Sequence, residues 1–132
     1  MIEQIYAYFT IDIIYLWLNF GVIPFWITLM FFPQSKICGY LVISILPFFL
    51  LSLVYSYLLY LFFMNSYDFS QNFSLYLSLE NLHTLFSEDA FLLLLWIHFL
   101  SINLFCGCWM IKDSQKFNIK RYIMFFPLII TY

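Results

Sequence analysis

Charge is scarce in this chain. Of its 132 residues, five are lysine or arginine and seven are aspartate or glutamate, 9% in all. A soluble domain carries charge on about a quarter of its residues, and so few ionisable groups cannot coat a surface that faces water. Glycine is scarcer still, with three residues, and none belongs to a Gly-rich run of the kind that cradles phosphate. The basic residues form no patch suited to nucleic acid, so no nucleic acid is expected as a partner. Cys38, Cys106 and Cys108 are an odd number set in or beside apolar segments. They provide no disulfide framework. The Cys106-x-Cys108 pair has no further ligand cluster beside it and reads as small packing residues, so neither a metal nor a cofactor is expected. No internal repeat or low-complexity tract is present. No secretory signal peptide is expected either, because Glu3 and Asp12 stand where a basic leader region would be.

What is abundant is apolar surface: 65% of residues are hydrophobic and 25% aromatic. The solvent for such a chain is lipid. Within hydrocarbon every backbone polar group must be satisfied internally, and helices do this within a single segment. The expected fold is therefore an all-α, polytopic membrane helix bundle, one transmembrane domain over residues 1–132. A span needs about 20 apolar residues, and four candidates follow: about 9–32, 38–64 with Pro47 inside it, 89–111, and 122–132. The third follows Ser87-Glu88-Asp89, a cap with acids in the first turn. Eleven residues of helix rise about 17 Å, short of about 30 Å of hydrocarbon. The fourth span is thus expected to be truncated or incomplete.

Charge placement predicts orientation. Lys36 lies in the loop 33–37, and Lys112, Lys116, Lys120 and Arg121 lie in the loop 112–121. Glu3, Asp68, Glu80, Glu88 and Asp89 lie on the opposite side. The positive-inside rule puts both basic loops in the cytoplasm or its organellar equivalent, with the N-terminus outside. In the outer loop, Leu75, Leu79, Leu82 and Phe86 recur at helical spacing and predict an amphipathic helix over about 73–87. Asn72-Phe73-Ser74 has the form of a glycosylation sequon, a triplet common by chance.

Polar residues inside the spans are the candidate functional groups. In the first span Asp12, Tyr15, Asn19 and Trp26 form one stripe, and the amide of Asn19 needs a partner, such as a neighbouring helix. In the second, Ser52 and Ser56 form a small-xxx-small pair beside Tyr55. In the third, successive residues turn by about 100°, so His98, Ser101 and Cys108 share one side while Trp96 and Asn103 lie about 140–160° away from His98. His98 is the candidate for proton chemistry because its unperturbed pKa lies near neutrality. Two readings of it stand together: a neutral imidazole bonded to a neighbouring helix, and a catalytic acid or base.

Several of these residues carry a resemblance. Asn19-x4-Pro24-x-Trp26-x6-Pro33 follows a bacterial pattern, and Val22-Ile23-Pro24-Phe25 a plant one. Leu46-Pro47 precedes Leu53-Val54-Tyr55-Ser56-Tyr57-Leu58-Leu59, and Leu85-Phe86-Ser87 precedes the third span. Trp96-Ile97-His98 and Leu104-Phe105 are followed by Gly107 and Trp109. In this order, from about Phe9 to the end, the chain resembles the small membrane family that includes plant neoxanthin synthase, and looks like a bacterial-type member. It departs from the family at Asn103, which stands where the family has an intramembrane Asp, and in a fourth span that continues further in the family. The resemblance implies xanthophyll metabolism, in which an epoxy-carotenoid is isomerised to an allenic one by an acid at the epoxide oxygen and a base that removes a proton. It implies His98 as one of these two groups, with Asp12 and Asp113 as distant alternatives for the other.

Three functions follow as expectations. The first is binding or modification of a carotenoid or other isoprenoid lipid within the bilayer. The second is a non-enzymatic membrane subunit or scaffold with protein partners. The third is a transporter, disfavoured by the lack of an inverted repeat.

Overall fold

The computed structural model describes residues 10–64 and 78–132. Glu3, Asp68, the Asn72 sequon and Leu75 lie outside the described residues. Among those described there are five α-helices: α1 (Ile11–Phe31), α2 (Leu46–Met64), α3 (Leu79–Phe86), α4 (Asp89–Lys116) and α5 (Arg121–Thr131). By length and apolarity α1, the segment Cys38–Leu61 and α4 can each cross a membrane, while α5 is a shorter apolar helix.

Helix α1 starts where Thr10 Oγ1 accepts the Ile13 N–H at 3.4 Å, with Asp12 in the positive first turn. It runs on through Pro24, and the Pro24 carbonyl accepts the Thr28 hydroxyl at 2.7 Å.

The second apolar stretch differs from the single helix that its composition predicts over 38–64. A π-helical turn occupies Cys38–Val42, the chain bends at 43–45, and the α-helix starts at Leu46. Pro47 is the reason. Its ring crowds the backbone before it and it has no N–H to donate, so it suits the first turn of a helix and not the interior. Ser44 Oγ accepts the Leu46 N–H at 3.2 Å and steadies the bend.

The described part of the loop between the second and third spans is helical from Leu79 to Phe86, capped by Ser78 Oγ on the Asn81 N–H at 3.1 Å. Leu85 is buried and Phe86 meets the Phe91 ring edge-on at 6.0 Å. Leu79 is 81% exposed, so the buried side of α3 is set by its packing on α4. Glu88 is the N-cap of α4 and makes no side-chain cap bond. The Ser87 hydroxyl instead donates to His83 O at 2.9 Å, within the last turn of α3.

Helix α4 is the hub, in contact with each of the other four. It extends beyond Ile111 to Lys116, because Ser114 remains buried against the bundle after the apolar run has ended. Its end is a Schellman-type cap. Ile119 N–H reaches back to Ser114 O at 2.8 Å, and Asn118 takes a left-handed φ of 52°. Asparagine is one of the few residues besides glycine that enters this region readily.

Leu29, Leu58, Ile97, Leu104, Ile111 and Leu128 form the centre of the core. Trp17, Phe20, Ile45 and Phe126 point outward and are largely exposed. A surface of large apolar side chains is a liability in water and the normal condition in lipid.

Candidate functional site

The polar groups of the spans divide into two seams on opposite sides of α4. On the α1 side, Asn19 uses both halves of its amide. Its Nδ2 donates to Tyr15 O at 2.7 Å, and its Oδ1 accepts from Trp96 Nε1 at 3.1 Å. The Trp96 ring lies 6.0 Å from Tyr15 and stacks on Phe99 at 5.4 Å. Further along the same seam Trp26 is 3% exposed and packs on Gly107. A Cβ on Gly107 would sit 3.0 Å from Trp26 Cη2 and 3.1 Å from Cζ3. The glycine is therefore a slot for the indole, which also meets Tyr132 edge-on at 5.4 Å.

On the α2 side the contacts are aromatic. Tyr55 and His98 have ring centroids 4.7 Å apart, and Phe48 and Phe105 6.2 Å apart. The members on each helix are separated by about two turns, and the numbering runs in opposite directions, so the two pairs lie on one antiparallel seam. Near the start of the second span Cys108 Sγ approaches Val42 O at 3.5 Å. His98 is exposed on the outside of the bundle, with Tyr55 against its ring and no hydrogen bond to another described residue.

Ser101 and Asn103 are half-buried and likewise make no hydrogen bond to a described residue. Asn103 lies about 140° around α4 from His98, so the two are not aimed at one point. The sequence-predicted residues therefore fall into separate groups. Asn19, Trp96 and Trp26 belong to the α1 seam, Tyr55 and His98 to the α2 seam, and Ser101 and Asn103 are paired with neither. Among the described residues no group of three His, Cys, Asp or Glu side chains could hold a metal ion.

The basic end has a structure that charge counting does not reveal. Gln115 Nε2 donates to Pro33 O at 2.9 Å and Arg121 Nε to Met30 O at 3.3 Å. Both tie the end of α1 to the α4–α5 turn across a cavity of about 240 Å³. In the sequence Arg121 carried only an orientation signal, and Gln115 carried none. The one local hint was polar side chains continuing beyond Ile111 in helical register.

Three apolar helices of spanning length, with a few polar groups set between them, define a multi-pass helical membrane protein. The chain matches the ABA4-like (ABA DEFICIENT 4-like) family over residues 13–132, and it belongs to that family. No curated protein and no solved structure matches it significantly.

Proposed function

We propose that this ABA4-like chain binds a carotenoid or other isoprenoid lipid within the bilayer, along the side of α4 that carries His98 and faces Tyr55 of α2. The observation that carries the reading is the exposed imidazole in the middle of a membrane span. The ring has no hydrogen-bond partner among the described residues; facing hydrocarbon in that state is unfavourable, and a ligand with an oxygen function beside it removes that penalty. The aromatic seam supports a long apolar occupant, since Tyr55, Phe48 and Phe105 continue it for about two helical turns.

Proton transfer on such a ligand runs through His98, with the Tyr55 phenol as the protic group beside it. Asn103 cannot titrate and lies on another side of α4, so it does not complete an acid–base pair with His98. The basic end, with Lys36, Lys112, Lys116, Lys120 and Arg121, faces the cytoplasm or an organellar equivalent in this reading.

Purification of the wild type, His98→Ala and Tyr55→Phe in mild detergent, followed by solvent extraction and absorption spectroscopy, tests the proposal. The expected result is a co-purifying polyene or isoprenoid lipid with the wild type, lost or altered with His98→Ala. Identical extracts from all three proteins would overturn it.

A second reading, a non-enzymatic subunit of a larger assembly, is favoured by Ser52 and Ser56. Both are exposed and use their hydroxyls on their own helix, to Phe49 O and Ser52 O. A small-residue face of this kind admits a close-packed partner helix. A protein that co-purifies with the wild type and is released by Ser52→Leu and Ser56→Leu, with a colourless extract, would replace the first reading.

A further inference from the structure

The geometry points to a second ligand site at the basic end: a pocket that takes the phosphate headgroup of an amphiphile and the first part of its chain. The cavity of about 240 Å³ lies between the last turn of α1, the last turns of α4 and the first turn of α5. Its buried lining is mostly apolar, made by Leu29, Ile111, Met124 and Leu128, with Ser114 beside them and its hydroxyl spent on Ile111 O. Gln115, Lys120 and Arg121 line it as well and are exposed.

The two cations are available to an anion. Lys120 lies 5.9 Å from the centroid of the Tyr122 ring, and Arg121 spends one N–H on Met30 O. Neither pairs with a carboxylate among the described residues. A guanidinium has five N–H donors, so the bond to α1 holds the group in place while its other donors make no bond among the described residues. Planar, pre-oriented arginine forks suit phosphate oxygens. Lys112 and Lys116 on α4 raise the positive potential at this end, and Asp113 is the one acid there among the described residues. The aromatic rings of Phe117 and Tyr122 stand beside Lys116 and Lys120, the pairing of ring and cation that occupies the headgroup layer.

An apolar wall beneath a basic mouth matches an anionic amphiphile better than a free anion. A phosphate alone would leave the wall unused, and a neutral lipid would leave the cations unmatched. Basic pockets between transmembrane helices are a recurrent way of holding anionic headgroups. The site lies at the end of the bundle away from His98, and its occupancy is independent of what binds there.

Thermal stabilisation and native mass spectrometry of the full chain in neutral detergent test this, with phosphatidylglycerol, phosphatidylcholine and inorganic phosphate as probes. Phosphatidylglycerol is expected to bind and stabilise, while phosphatidylcholine and inorganic phosphate do neither at the same concentration. Arg121→Gln and Lys120→Gln are each expected to weaken phosphatidylglycerol binding by about fivefold. Lys120→Gln keeps the bond between Arg121 and α1, so it reads the charge without disturbing the fold. Lys36→Gln, a basic change outside the cavity, is expected to leave the affinity within twofold. Equal weakening by Lys36→Gln would show a diffuse surface effect and overturn the site. Equal binding of the two phospholipids would overturn it too, and displacement of phosphatidylglycerol by equimolar inorganic phosphate would overturn the role of the apolar wall.

Discussion

Gly107 lacks a side chain because the Trp26 indole occupies the space that a methyl group would need. Gly107→Ala forces the ring or the helix to move, and overpacking of this kind costs about 1–3 kcal/mol. Reversible unfolding in mixed micelles should show that loss, and it should be partly recovered by adding Trp26→Phe. No recovery would mean that the strain lies elsewhere. The Asn19–Trp96 bond is a second residue-scale test. Interhelical hydrogen bonds in membranes contribute about 0.6 kcal/mol on average and up to about 1.7 kcal/mol. A double-mutant cycle with Asn19→Leu and Trp96→Phe should return a coupling within that span, and zero coupling would assign the bond no energetic role. Both residues stood out in the sequence as a polar stripe and a matched motif. Their pairing did not, because nothing local connects position 19 to 96 or 26 to 107.

At the scale of elements, the long helices were legible because hydropathy persists over about 20 residues and lipid admits few alternatives to helix. Their interruptions were less so. Pro47 marks the break in the second stretch, yet composition alone reads straight across 43–45. The far end of α4 was missed because polarity normally signals the end of a span, whereas Ser114 stays buried and the helix continues to Lys116. Asn118 lends itself to a test of that turn. Asn118→Gly should be tolerated, since glycine adopts a φ of 52° without strain. Asn118→Val should destabilise by about 1–2 kcal/mol, since the left-handed region is unfavourable for L-residues. It should also loosen Arg121, which a weaker response to phosphatidylglycerol would report. Equal stability of the two variants would show that the cap is not what ends α4.

At the scale of the whole molecule, the bonds from Gln115 to Pro33 and from Arg121 to Met30 bring the end of α1 and the α4–α5 turn to one end of the bundle. Cysteines introduced at Lys36 and Lys116, in a background with the three native cysteines replaced by alanine, should react with a membrane-impermeant thiol reagent from one side of the bilayer. A cysteine at Glu80 should react from the other. Labelling of all three from the same side would contradict a three-span path.

The sequence by itself determined the solvent, the helical class, the three long apolar segments and the clustering of positive charge. These are one-dimensional properties, set by how many apolar residues follow one another and where the few charges interrupt them. The tertiary structure alone decided which polar group meets which: Asn19 with Trp96, Trp26 with Gly107, Tyr55 with His98, and Arg121 with Met30. The physical reason is rotational. Each residue advances a helix by about 100°, so small changes in the rotation or offset of one helix against another exchange its faces. Those two quantities are set by side-chain packing between segments tens of residues apart. His98 was therefore visible as a residue from the start, but its exposed position on the α2 seam, away from Asn103, was fixed only when α4 settled between α1 and α2.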